Sequence, residues 1–165
     1  MSVYVIDSNF FIQAHRVYYP LDVAYSFWQK VKQLAHEEKI ISIDKVKDEI
    51  FDHNDELEEW CKENLPDNFF KDSSSTIVEY SQVTAWAISK NDHFLPQALN
   101  EFLDANEADA FIIAFVLNDS NKILVTQETS EPFRRNKIKI PDACIALDVK
   151  YLNVMEMFRQ LNETF

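Results

Sequence analysis

The sequence predicts an α/β fold, a mainly parallel sheet flanked by helices, and three observations carry that prediction. Apolar runs of strand length recur, at Val3 to Ile6, Ile40 to Ile43, Ile123 to Thr126 and Lys137 to Ile140. Helical stretches lie between them, and strands that alternate with helices pair in parallel. The first run is nearly continuous in apolar character, as a buried strand is.

The first run, VYVI, stops at the polar triplet Asp7, Ser8 and Asn9, where a helix can begin, so Asp7 stands at the C-terminal edge of a strand. From Asp22 to Glu38, residues Val23, Phe27, Val31, Leu34 and Ala35 fall on one helical stripe. After the second strand, Asp44 can cap a helix carrying Val46 and Ile50, and Glu56 to Asn64 predicts another around Leu57 and Trp60. The serine run Ser73 to Ser75 can cap a helix bearing Ile77, Tyr80, Val83 and Trp86, and Phe94 to Leu103 predicts one more. Asn106 can cap Glu107 to Leu117, Pro141 suits the first turn of a short helix through Leu147, and Val154 to Leu161 has helical spacing. The three tryptophans, Trp28, Trp60 and Trp86, sit on these helices, where packing is their expected role.

With 165 residues and neither a repeat nor a linker, the chain is expected to be one domain, residues 51–100 forming a helical insertion or cap. A net charge of −12 argues against nonspecific adhesion to nucleic acid or an anionic membrane, although a bound divalent cation can reverse the sign of an acidic site locally. The chain has no glycine. Dinucleotide fingerprints, phosphate-cradling P-loops and the nucleophile elbow all need glycine and are thereby excluded. Asn and Asp must then take the left-handed turn positions, with Asn118 to Asn121 as a candidate turn. Cys61 and Cys144 are too few and too distant in sequence for a C-x-x-C zinc site and read as buried small hydrophobes. No signal peptide and no membrane-length apolar run is present, so the expectation is a cytoplasmic protein without membrane contact.

Four carboxylates occupy matching positions. Asp7 ends the first strand, Glu49 lies in the helix after the second, Asp109 sits in the first turn of the helix after Asn106, and Glu128 follows the strand ILVT. In a parallel sheet all four can converge at the C-terminal edge, where open α/β sheets bind ligands. Crowded carboxylates resist ionisation unless a cation neutralises them, so the cluster predicts Mg²⁺ or Mn²⁺ and, with it, phosphodiester hydrolysis. Spacing alone is met equally by a structural reading, in which Asp7 and Asp109 serve as caps or favour a helix dipole.

The segments DSNFFI at Asp7, EADAFIIAF around Asp109 and LVTQE ending at Glu128 together resemble the PIN-domain superfamily, whose members include toxin ribonucleases of the VapC type. The likeness runs in order over most of the chain, and KIPDACIALDVKYLNVMEMF resembles the C-terminal end of a PIN-like branch found in toxin and antitoxin gene pairs. The resemblance implies a PIN-like fold, with Asp7, Glu49, Asp109 and Glu128 as the metal-binding, catalytic acids and Ser8, Asn9 and Thr126 orienting ligands or water. It further implies an RNA substrate, a cognate antitoxin covering the acidic groove, and a homodimer as a possible assembly. Glu128 stands where the family more commonly has Asp, and glycines common in related loops are absent.

Glu49 and His53 are four apart and share a helix face, and Asp104 and Glu107 flank Asp109, so these side chains can enlarge the site or serve as solvated surface groups. The stretch RRNKIK supplies Arg134, Arg135, Lys137 and Lys139 as candidate contacts to RNA phosphates. The resulting expectation is a metal-dependent endoribonuclease, the toxin of a toxin–antitoxin pair. The rival is a PIN-like module that binds or regulates without catalysis. A haloacid-dehalogenase phosphatase would need an acid where Asn9 stands.

Overall fold

A computed structural model describes residues 1–165. Five strands form one all-parallel sheet: β1 (Val3–Ile6), β2 (Ile40–Ile43), β3 (Phe70–Lys71), β4 (Lys122–Val125) and β5 (Tyr151–Leu152), in the order β3-β2-β1-β4-β5. Tyr4 pairs with Ile40 on one side and Ile123 on the other, which puts β1 at the centre. Successive connections run outward from β1 in opposite directions, so the sheet reverses its winding beside β1. Nine helices surround it: α1 (Ser8–Gln13), α2 (Tyr25–His36), α3 (Asp44–Phe51), α4 (Glu56–Asn64), α5 (Ile77–Ser89), α6 (Pro96–Phe102), α7 (Asp109–Leu117), α8 (Ile140–Leu147) and α9 (Val154–Leu161). No helix is long and apolar enough to cross a membrane.

One connected core holds the strands and the inner helix faces. β2 is buried along its whole length, and α7 is buried nearly all round, from Ala110 to Val116 apart from Phe111. The stripe of α2 is buried at Phe27, Trp28, Val31, Leu34 and Ala35, with Trp28 Nε1 donating to the Tyr19 carbonyl at 2.6 Å. Trp28 meets Trp60 edge to face, and Trp86 packs against Phe94 and Phe102, so all three indoles serve packing. Cys61 and Cys144 are buried and unpaired, and burial pushes the Cys61 thiol up to about 12.

Several boundaries differ from the sequence reading for physical reasons. Lys137 to Ile140 is not a strand: Lys139 is the cap of α8, where Pro141 supplies the fixed φ and needs no donor. The fifth strand is Tyr151–Leu152, and the third, Phe70–Lys71, lies within the segment expected to be helical; two residues each are too short to read from alternation. Segment 51–100 is thus mostly helical but also supplies an edge strand. Val23 lies before α2 and is exposed, and Ile77 faces solvent on α5. Asp44 sits inside the first turn of α3, with Ile43 as its cap, and its carboxylate accepts from Ser73 Oγ at 2.7 Å, pinning α3 to the turn that leads into α5.

Without glycine, positive φ falls on Glu38, Asn54, Asp148 and Asn162. Asp148 and Asn162 end α8 and α9, where a left-handed residue closes the last turn. The stretch Asn118 to Asn121 turns by other means, with the Asp119 carboxylate accepting the Asn121 N–H at 2.9 Å.

Candidate metal centre

A parallel sheet brings the C-terminal ends of all its strands to one edge, and the winding reversal beside β1 leaves a crevice there. β1 delivers Asp7 to this crevice. Its backbone N–H still bonds to the sheet, at the Val125 carbonyl, while its carboxyl makes no capping bond to α1. The side chain is fully buried: Thr126 Oγ1 donates to Oδ2 at 3.0 Å and Ser8 Oγ lies 3.4 Å from Oδ1. Burial raises the Asp7 pKa to about 7, the charge of Glu128 adds to the rise, and the Thr126 hydrogen bond opposes it.

Asp109 is the first residue of α7, in the turn where an acid favours the helix dipole, so the structural reading stands for Asp109, whereas Asp7 makes no capping bond to α1. The Asp109 pKa is raised well above the usual carboxylate range, first by burial and then by the charges of Asp7, Glu128 and Glu49, with Lys137 pulling the other way. Both glutamates are thus within electrostatic reach of Asp7 and of Asp109.

The two glutamates are tethered. Glu49, on α3, accepts the Ala108 N–H through Oε1 at 3.0 Å, and so caps the approach to α7. That bond replaces the cap expected from Asn106, and α7 starts at Asp109 instead of Glu107. Glu128 accepts the Ile140 N–H through Oε2 at 2.8 Å, while Oε1 lies 3.8 Å from Lys137 Nζ. Each glutamate keeps one oxygen without a hydrogen bond from the protein. Thr126 Oγ1 also accepts the Glu128 N–H at 3.1 Å, so one hydroxyl holds both the Asp7 carboxyl and the Glu128 backbone.

Above these acids lies a cleft of about 550 Å³, lined by Glu49, Asp109 and Glu128 together with Ser8 and Asn9. Seven of its fourteen lining residues are acids and two are lysines, a balance that favours a cation over a free anion. Asp7 is buried beside Ser8 and does not itself line the cleft, and Thr126 does not line it either. His53 and Glu107 line it; Asp104 instead turns back to accept the Asn106 N–H at 2.9 Å. Sequence reading missed Lys45, Asp48 and Asp52, which also line the cleft. Positions 45, 48, 49 and 52 follow the i, i+3, i+4, i+7 spacing of one helix face, so the polar stripe of α3 was the available signal.

Of the basic stretch, Lys137 alone reaches the cleft. Arg134 is held by Glu131 and Asn136, Arg135 donates to the His93 carbonyl, and Lys139 lies 3.4 Å from Glu131.

Oxygen donors of this kind, with two carboxyls held above their normal pKa by burial and then by neighbouring negative charge, fit a hard divalent cation such as Mg²⁺ or Mn²⁺. As the side chains stand, no three donors converge on one point, because hydrogen bonds to Thr126, Ala108 and Ile140 hold three of the acids. Binding would therefore draw the free oxygens inward.

The chain belongs to the family described as a domain of unknown function, DUF4411, whose model matches residues 4–165. No curated protein and no solved structure matches it.

Proposed function

We propose that this DUF4411 protein is a PIN-like, metal-dependent endoribonuclease. The observation that carries the reading is the placement of Glu49, Asp109 and Glu128 around one cleft at the C-terminal edge of a parallel sheet, with Asp7 buried beside it at the end of β1 and both aspartates held above their normal pKa. Asp7 stands at the N-cap position of α1 without capping it, which removes that structural reason for its placement.

Bound among these acids, Mg²⁺ or Mn²⁺ would polarise a phosphate oxygen and lower the pKa of a coordinated water. Asp7 and Asp109 are the ligands in this reading, ionised once a cation offsets their repulsion. Thr126 holds Asp7 in orientation by its 3.0 Å hydrogen bond. Glu49 and Glu128 present their remaining oxygens to complete the site or to take a proton from the attacking water. Ser8 and Asn9 can position water or phosphate from the cleft wall, and Lys137 can meet the phosphate charge.

The toxin role and an antitoxin partner follow from the sequence resemblance. The acidic cleft supports an antitoxin that inserts a basic side chain there. A second reading, a binding or regulatory module without catalysis, is favoured by one observation: three of the four acids are already engaged in internal hydrogen bonds and no three donors converge.

The test incubates wild type and Asp109→Asn with a pool of labelled structured RNAs in Mn²⁺, Mg²⁺ or chelator. Cuts that need metal and appear with the wild type alone support the nuclease. Metal-independent cutting, or equal cutting by the variant, contradicts it.

A further inference from the structure

Glu128 separates two hollows. On its far side from α3, a second one of about 450 Å³ opens over the C-terminal ends of β4 and β5. Its walls bring together Tyr18, from the end of a π-helical turn over Ala14–Tyr18 that continues α1, Tyr151 from β5, and Met155 from α9. Tyr18 is 60% exposed, a large aromatic ring left in water where π-helical turns often mark functional positions. Between them sits Gln127, whose Oε1 accepts the Val154 N–H at 3.3 Å. That bond fixes the carboxamide and leaves its two N–H groups without a protein acceptor.

The charge of this hollow differs from what phosphate needs. Glu128 and Glu156 line it, and no lysine, arginine or histidine does. A phosphate would be repelled there, whereas a neutral planar ring with amino and carbonyl edges meets aromatic faces, carboxylate acceptors and amide donors. Glu128 lines both hollows, so this one adjoins the place where the scissile phosphate would lie.

We propose that this hollow is a nucleobase subsite, which takes one unpaired base of the RNA next to the phosphate held at the acidic cleft. The proposal rests on the nuclease reading and adds its substrate class: single-stranded or looped RNA, with the base stacked on Tyr18 and its edge read by Gln127.

The experiment measures cleavage of single-stranded RNAs that differ only in the bases flanking the cut, by wild type, Tyr18→Ala and Gln127→Glu, with Mn²⁺ affinity measured in parallel. Gln127→Glu keeps the acceptor for Val154 and removes the N–H donors. The expected results are a wild-type preference for one flanking base, a rise in KM of about tenfold for Tyr18→Ala that exceeds its effect on kcat, and an altered preference for Gln127→Glu. Mn²⁺ affinity stays at the wild-type level in Tyr18→Ala. Wild-type cutting without base preference, or both variants cutting with wild-type KM and preference, overturns the subsite while leaving the nuclease standing. Failure of the wild type to cut any RNA in either metal overturns both.

Discussion

The Thr126 hydroxyl donates to Asp7 Oδ2 at 3.0 Å and accepts the Glu128 N–H at 3.1 Å, so the side chain that follows β4 fixes an acid from β1 and the chain leading to a second acid. Thr126→Val keeps the shape and removes both bonds. It should raise the Asp7 pKa further and weaken Mn²⁺ binding by about tenfold to a hundredfold, in line with the loss of a partner that orients a ligand. Isothermal titration with Mn²⁺ checks this, and Thr126→Ser should restore most of the affinity.

Asp7 and Asp109 make the metal-free protein less stable as pH rises. Their folded pKa values lie above those of the unfolded chain; between about pH 4 and pH 7 folded Asp7 holds a proton that the unfolded state has released, so stability falls across that window, and Asp109 acts in the same direction. Asp7→Asn removes one of these groups. In chelator at about pH 8, above the folded pKa of Asp7, the variant should melt several degrees higher than wild type and respond less to pH. Melting curves across pH read this directly, and added Mn²⁺ should stabilise the wild type and leave Asp7→Asn nearly unmoved.

Glu49 has two separable roles. Glu49→Gln retains an acceptor for the Ala108 N–H and should leave melting close to wild type while weakening metal binding. Glu49→Ala also leaves that N–H without its partner and should cost about 1–2 kcal/mol in addition. Urea unfolding of the pair separates charge from hydrogen bonding.

Glu128 is an acid whose Oε2 bonds the Ile140 N–H, twelve residues on, at the start of α8. Glu128→Asp shortens the arm, so one carboxylate cannot keep that bond and face the cleft together. The variant should lose at least tenfold in RNA cleavage, with about 1 kcal/mol of stability. Cleavage rates and urea midpoints check the two losses.

Lys137 is the one cation of the basic stretch inside the cleft, 3.8 Å from Glu128, and it offsets the repulsion felt by Asp109. Lys137→Met should tighten Mn²⁺ binding at about pH 8 by roughly tenfold, since one competing positive charge is gone, and should weaken RNA binding. Titrations with metal and with RNA should move in opposite directions.

The central strands were legible because β1, β2 and β4 are mostly apolar, buried runs, and the position of Asp7 and Glu128 after β1 and β4 followed from the parallel arrangement. The edge strands β3 and β5 were not, since two paired residues leave no pattern and their place is set by contact with β2 and β4. Asn106 looked like a cap from its neighbours alone, whereas the contact made there is from the Ala108 N–H to Glu49, 59 positions earlier, which only the tertiary fold creates. The same holds for Thr126, whose bond to Asp7 spans 119 positions. Lys137 could not be told from Arg134, Arg135 and Lys139 in the sequence, because which one faces the cleft depends on the path of the loop from Glu128 to α8.

The central claim is that these four acids form a cation site, and the direct measurement is Mn²⁺ titration of wild type and Asp109→Asn, with melting followed in the same samples. The account predicts saturable binding and a rise in melting temperature for the wild type, both lost in a folded Asp109→Asn protein. Absent binding in the wild type, or equal binding by both proteins, would contradict it.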